Sequence, residues 1–417
     1  MLMPYREVLS RPGATAFSAA GARARLPISM VGIGIVLMVS EVYGSYGLAG
    51  RISAVYVVVH ALCSPQVARL VDRFGQARVM RPAMVFSTAG LCSLVWVATV
   101  EGSPWLLYAA AVLTGATMGS VGSLVRARWS HALSDVRQLH TAYSLESALD
   151  ELVFIVGPVL ATLLATAVHP TAGLVVPTVA LVVGGLILFA QHGTEPPAAP
   201  PVPGVRHRHV LRSGGMVVLL VVFVCMGAIF GATDVATVAF AEEQGRKSVA
   251  GVILGVFALG SMIAGLGYGA RHWASPLWRR FAIGMVALAL GVSLFFFVTS
   301  LPALAAVMLV TGFSIAPTLI NGNALVQQLV PRAQLTEGLT WVGTSLGFGV
   351  AAGAAAAGPM IDARGSHGGF VVVVVAAGAA VVATLASIRT LRAGSDAEPA
   401  GSPLGEGPTH REQVLDT

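Results

Sequence analysis

Long apolar runs separated by short polar clusters set the pattern of this chain. The runs cover residues 14–42, 46–70, 79–100, 104–127, 140–168, 171–191, 214–241, 248–271, 277–299, 302–329, 335–360 and 367–391. Each is close to the roughly 20 residues that carry a helix across the hydrocarbon core of a bilayer. The apolar residues are continuous and do not alternate with polar ones, which argues against barrel strands. Twelve membrane-spanning helices are predicted. The first has two possible starts, because Arg23 and Arg25 precede Pro27. It begins either at Leu26 or already near Ala14, and the early start buries Arg25 well inside the membrane.

Between the sixth and seventh runs lies a proline-rich stretch, TEPPAAPPVPG, followed by a basic run over residues 206–212. This reads as a linker between two six-helix halves. The expected division is 1–191 for the first bundle, 192–213 for the linker, 214–392 for the second bundle and 393–417 for a tail. The tail is rich in Gly, Pro, Ser and acids, cannot bury a core, and is expected to be disordered.

Composition strengthens the membrane reading. Hydrophobic residues make up 55% of the 417 residues and charged ones 11%, with a mean hydropathy of +0.79. A soluble domain carries about 25% charged residues, and so few charges could not cover a water-facing surface. The net charge of +6 is almost all arginine, Lys247 being the only lysine. Its placement is topological. With the N-terminus inside, 21 of the 25 basic residues fall on the inner side, and Arg51, Arg246, Lys247 and Arg364 remain outside. By the positive-inside rule both termini are cytoplasmic, in a multi-pass protein of the plasma (inner) membrane. No nucleic-acid motif is present. Cys63, Cys92 and Cys225 all lie within apolar runs, which supports neither a disulfide framework nor a metal site. No cleavable signal peptide is visible. Without a phosphate-binding loop, a metal-spaced His/Cys set or a nucleophile–base constellation, enzyme readings fail and no cofactor is expected.

The halves show weak internal similarity. Thr114-Gly115 recurs as Thr311-Gly312, and Gly157-Pro158 as Gly358-Pro359, at separations of 197 and 201 residues. The repeat rests mainly on the six-plus-six span count. Two parallel six-helix repeats around a central cavity make a transporter plan, with substrate bound near the midplane.

The segment after the second run reads Ala68-Arg69-Leu70-Val71-Asp72-Arg73-Phe74-Gly75-Gln76-Ala77-Arg78. It resembles the signature loop of the major facilitator superfamily, G-x-L-x-D-R-x-G-R-R. Ala68 replaces the leading glycine, and Gln76-Ala77 replaces the basic pair. The resemblance covers residues 14–391 and implies an all-α integral membrane fold of twelve helices in two six-helix bundles. It also implies alternating access, with Asp72, Arg73, Gly75 and Arg78 forming a cytoplasmic latch set against a helix end. Gly157-Pro158 resembles the Gly-Pro motif of drug/proton antiporters, although Ala161-Thr162 follow it and Ala111 stands where such antiporters carry an arginine. Presence of the pair in both halves points to hinges at Gly157, Pro158, Gly358 and Pro359.

Charges inside spans are costly and mark function. Glu146, Asp150 and Glu151 open the fifth span. Glu146 and Asp150 stack on one helical face, and Glu151 points about 100° away from Asp150. Three carboxylates within two turns, partly out of water, resist being ionised together, and a group that holds a proton is what proton coupling needs. Arg126 and Arg128 are the candidate counter-ions, with Arg25 a third if the first helix starts early. A static ion pair is the rival reading. Asp234 in span seven and His60 in span two are further candidates for coupling or gating. Glu41 and Glu337, near span ends, are expected to be solvated. Asn321 and Asn323 sit in the most amide-rich span and are the candidate substrate contacts, with inter-helix hydrogen bonds as the alternative.

These features converge on a proton-coupled secondary transporter that exports an amphipathic small molecule. It is expected to work as a monomer, with its substrate, protons and membrane lipid as partners. Uptake of a sugar-like nutrient is the alternative within transport. It is disfavoured because aromatic residues are only 7% of the chain. A membrane sensor or scaffold that moves nothing is the alternative from another class.

Overall fold

The computed structural model describes residues 3–198, 210–246, 249–271 and 273–396. Arg206, Arg208, Lys247, Arg411, the middle of the expected linker and the tail beyond residue 396 therefore lie outside the described residues. Among those described there is no strand. The helices are α1 (Met3–Leu9), α2 (Ala14–Tyr43), α3 (Tyr46–Phe74), α4 (Gln76–Thr99), α5 (Pro104–Thr117), α6 (Val121–Ala132), α7 (Val136–Ala167) and α8 (Ala172–Ala190) in the first half. The second half has α9 (Gly214–Glu243), α10 (Ala250–Gly269), α11 (Leu277–Ser293), α12 (Leu301–Gly312), α13 (Ile315–Leu329), α14 (Leu335–Arg364), α15 (Ser366–Ala386) and α16 (Ile388–Asp396). Twelve of the resulting segments are long and apolar enough to span a bilayer. The protein is a multi-pass, all-α membrane protein.

The sequence signals that end these helices are visible locally. Ser45 caps α3 by accepting a hydrogen bond from the Leu48 N–H, and Asp135 caps α7 through the Arg137 N–H at 2.9 Å. Pro104 stands in the first turn of α5, where its missing N–H costs nothing. A single glycine reverses the chain between α3 and α4: Gly75 has φ +95°, a backbone region that side chains disfavour. The first span starts at Ala14, so the early start holds and Arg25 lies within it. Helix continues through residues 388–396, past the expected start of the tail.

Packing builds a core within each half, and a further cluster joins first-half residues to Ala316 and Ile320 of α13. One hydrophobic core is built from residues 210–391 alone, and another from residues 31–181 alone. Spans four and ten are both broken, α5 from α6 and α12 from α13, within a few residues after the repeated Thr-Gly dipeptide. Each glycine admits the backbone of a neighbouring span. A methyl group on Gly115 would strike the Tyr56 carbonyl and the His60 N–H of α3, and one on Gly312 would strike the Phe257 carbonyl and the Ser261 N–H of α10. Phe257 and Ser261 lie 201 residues beyond Tyr56 and His60. Each threonine hydroxyl bonds the carbonyl four residues back, Ala110 or Val307, and fits against Gly90 or Gly291. The repeated dipeptide thus does the same packing job in both halves.

The Gly-Pro pair does not. A side chain on Gly157 would run into Ser29 and Met30 of α2, whereas one on Gly358 would meet nothing within 4 Å. Both helices continue through their prolines. The closest helix pair in the second half uses other glycines. Gly227 and Gly231 of α9 face the backbone of Leu346 and Val350, and Gly349 and Gly353 of α14 face that of Val224 and Ala228. Small residues four apart on both helices let the two backbones touch.

Candidate functional site

The carboxylates of α7 divide into two environments, as their angular spacing predicts. Glu146 and Asp150 face α2 and α6. Asp150 Oδ1 accepts a hydrogen bond from Arg25 Nη1 at 2.6 Å, and Oδ2 accepts one from Arg126 Nη2 at 2.6 Å. Glu146 pairs with the other end of the Arg25 guanidinium. It also accepts hydrogen bonds from Ser18 Oγ at 2.7 Å and Trp129 Nε1 at 2.8 Å. The result is a quartet of two guanidiniums and two carboxylates, balanced in charge and bridging α2, α6 and α7. Its members are withdrawn from water, with side-chain exposures of 4% for Arg25, 10% for Arg126 and 0% for Glu146, against 30% for Asp150. Charge-assisted hydrogen bonds, with Arg25 bridging both carboxylates and Asp150 bridging both guanidiniums, are what make such burial tolerable.

Arg128 is not part of this quartet. It is fully buried elsewhere, donating to Gln76 Oε1 at 2.7 Å, the Gln191 carbonyl at 2.9 Å and Thr194 Oγ1 at 2.7 Å. The expectation that it counters the acids of α7 is corrected: its partners are neutral oxygens, and it holds the start of the linker against the first half. Glu195 anchors the same segment by accepting a hydrogen bond from the Ala77 N–H at 2.9 Å, at the N-terminus of α4.

Glu151 stands apart. Among the described residues it has no ion pair, and its hydrogen-bond partner belongs to the other half: Ser261 Oγ of α10 donates to Glu151 Oε1 at 2.6 Å. His60 bonds Ser64 Oγ at 3.1 Å and stacks on Tyr56. Asp234 is exposed on α9 and, among the described residues, has no ion pair. None of these three lies in the quartet.

The signature loop does meet a helix end. Asp72 Oδ2 accepts a hydrogen bond from the Glu337 N–H at 2.9 Å, in the first turn of α14 in the other half. A carboxylate there satisfies an otherwise unpaired donor and complements the helix dipole. Arg69 Nη2 pairs with Glu337 Oε1 at 2.6 Å. Two expectations are corrected here. Glu337 is buried at 2% exposure, not solvated, because it is enclosed between Arg69 and the helix start. Arg73 and Arg78 are exposed and, among the described residues, have no ion pair with α14; Arg73 lies over the Phe74 ring at 4.9 Å. Gly75 serves the turn. Among the described residues, Arg69 is the arginine whose ion pair joins the halves.

Further bonds cross between the halves at this same arginine-rich end. The Tyr5 hydroxyl donates to the Leu266 carbonyl at 2.5 Å, Thr141 Oγ1 to the Gly269 carbonyl at 2.7 Å, and Ser130 Oγ to Gln327 Oε1 at 3.4 Å. The two asparagines of span ten are engaged within the second half. Asn321 is fully buried and exchanges hydrogen bonds with the Tyr268 hydroxyl, and Asn323 bonds the Leu319 carbonyl of its own helix. The Asn321 bond is a helix-to-helix contact and the Asn323 bond an intrahelical one.

A family model described as Major Facilitator Superfamily matches residues 17–282. The chain belongs to the Major Facilitator Superfamily. Members of this superfamily are transporters. A tetracycline resistance protein of class C from Escherichia coli is 27% identical over 299 residues, 65% of this chain and 72% of its own length. Two solved structures share the fold. The human organic anion transporter MFSD10 (TETRAN) superposes with a TM-score of 0.66 at 15% identity, over 91% of this chain and 97% of that one. A bacterial homologue of the iron transporter ferroportin, in an outward-facing state, superposes with a TM-score of 0.70 at 13% identity, over 92% and 99%. At such identities the likeness establishes architecture alone.

Proposed function

We propose that this superfamily member is a proton-coupled exporter of an amphipathic small molecule, and that Glu151 is the carboxylate that loads and releases the proton. The observation that carries this reading is the charge count on α7. Glu146 and Asp150 are matched by Arg25 and Arg126, which leaves Glu151 with a neutral hydroxyl from the opposite half. A proton on Glu151 changes the charge at the seam between halves without breaking a buried ion pair. It also changes the bond that links α7 to α10, so proton occupancy and the relative position of the halves are coupled through one contact. The direction of transport is supported by the relative named for tetracycline resistance.

On this reading the arginine-rich end is cytoplasmic, and the bonds of Asp72, Arg69, Tyr5 and Thr141 close the cytoplasmic side. Residues 1–191 and 214–392 act as the two moving bodies.

The test is reconstitution of Glu151→Gln in liposomes, with a fluorescent tetracycline as the probe. Driven uptake under an imposed pH gradient is expected to fall to background, while exchange without a gradient persists. Wild-type driven transport by Glu151→Gln would move the coupling site elsewhere, with Asp234 and His60 the next to be replaced.

A further inference from the structure

The two halves meet along two seams at the arginine-rich end, and the seams differ in kind. Between α3 and α14 the contact is ionic, through Asp72, Arg69 and Glu337. Where α7 and α1 meet α10 the bonds are neutral: Thr141 of α7 to Gly269, and Tyr5 of α1 to Leu266. Beside this second seam lies a cavity of about 220 Å³, walled by α1, the start of α7 and the segment from Arg271 to Arg280. Three arginines face it, Arg137 from the first half and Arg271 and Arg280 from the second. Among the described residues none of them has an ion pair, and Arg280 Nε is buried without a hydrogen-bond partner. The two carboxylates at its wall are turned to other donors. Glu7 accepts from Gln138 Nε2 at 2.7 Å, and Asp135 from the Arg137 N–H at 2.9 Å. Trp273, 40% exposed, stacks on Tyr268 at the cavity edge, and indole rings settle at the level of lipid headgroups.

We propose that this cavity binds a phosphate group and that the bound group ties the two halves together. Guanidiniums fit phosphate oxygens through paired N–H donors, and basic pockets between helices at the membrane surface suit anionic headgroups. The position of Asp72 relative to Tyr56 is that of Trp273 relative to Phe257, at the same spacing of 201 residues. The carboxylate that closes the first seam thus has no counterpart in the second, and an anion held by Arg137, Arg271 and Arg280 supplies one. Because it touches both halves, it stabilises the arrangement in which this end is closed. The inference is independent of which carboxylate carries the proton.

The experiment is thermal unfolding of the purified full chain in detergent. Four additions are compared: phosphatidylglycerol, phosphatidylcholine, inorganic phosphate, and chloride at equal ionic strength. The melting temperature is expected to rise with phosphatidylglycerol or with inorganic phosphate, and not with chloride or with phosphatidylcholine, whose phosphate charge is offset by its own choline cation. A rise with phosphatidylglycerol alone assigns the site to a lipid headgroup, and a rise with inorganic phosphate as well assigns it to a free anion. Arg137 and Arg271 are exposed, so Arg137→Gln/Arg271→Gln can be made without opening a core. That pair is expected to shift the half-saturating concentration upward by on the order of tenfold or more. Arg23→Gln/Arg332→Gln removes the same charge from the same end but away from the cavity, and should leave the response intact. Equal loss in both double variants, or no response of the wild type to either phosphate source, would overturn the proposal.

Discussion

Replacing Asp150 with Asn should cost far more stability than replacing its neighbour Glu151 with Gln, although both changes remove one carboxylate charge from adjacent positions. Asp150→Asn leaves Arg25 and Arg126 facing a single anion, Glu146. Breaking a buried pair by deleting one partner costs about 3–5 kcal/mol, most of it the penalty of the charge left behind. The stranded guanidiniums are only 4% and 10% exposed, but Asp150 itself is 30% exposed and admits some water. The expected loss therefore sits at the lower end, about 3 kcal/mol, or roughly a hundredfold in the folding equilibrium. Glu151→Gln strands no charge. The amide oxygen of glutamine still accepts from Ser261 Oγ, so the loss should stay under about 1 kcal/mol. The assay is denaturant or thermal unfolding of the purified variants in one detergent. A third variant makes the comparison sharper. Asp150→Asn/Arg126→Gln restores the balance of charge and should recover at least about 1 kcal/mol relative to Asp150→Asn alone, a non-additivity that independent sites do not show. Equal stability of Asp150→Asn and Glu151→Gln, or additive losses in the double variant, would refute the quartet as a closed electrostatic unit.

Three further outcomes are expected. Asp72→Asn should weaken closure of the arginine-rich end by about 1–2 kcal/mol, through loss of a charged acceptor at the start of α14; spin-label distances across the α3–α14 seam should lengthen while substrate affinity is unchanged. Gly157→Ala should destabilise the protein, because its methyl meets Ser29, whereas Gly358→Ala should be neutral or stabilising by about 0.5–1 kcal/mol; thermal unfolding of the pair reads the contrast. A reporter fused after residue 392 should be active only on the cytoplasmic side, and activity outside the cell would reverse the orientation.

The spans were legible because hydropathy acts on whole runs, and no tertiary contact can override 20 apolar residues. The separation of Asp150 from Glu151 was legible for a similar reason, since 100° per residue is a property of one helix. Partners between elements were not. Ser261 is one serine in an apolar span, and nothing local marks it as the donor to Glu151. Arg128 looked like a twin of Arg126, but two positions along a helix turn a side chain to another face. There it meets Gln76 and the linker start, which only the folded chain brings near. Glu337 sits at a span end, where exposure is the usual outcome, and its burial depends on Arg69 from 268 residues away. The Thr-Gly and Gly-Pro repeats looked alike in sequence. They differ in structure because one is pressed against a neighbouring backbone in both halves and the other in only one.

The quartet on α7 has a consequence for electrostatic reach. Two cations and two anions in close contact have no monopole, so their field dies away over a few ångströms and hardly registers in the opposite half. A single carboxylate has a monopole, and in a low-dielectric seam its potential falls only as the inverse of distance. Of the five strongly polar groups that Arg25, Arg126, Glu146, Asp150 and Glu151 place on α2, α6 and α7, only Glu151 is left unbalanced. Any change in the protonation of Glu151 is felt by α10 almost undiluted, while the quartet keeps the four other charges electrically silent to everything beyond its own helices.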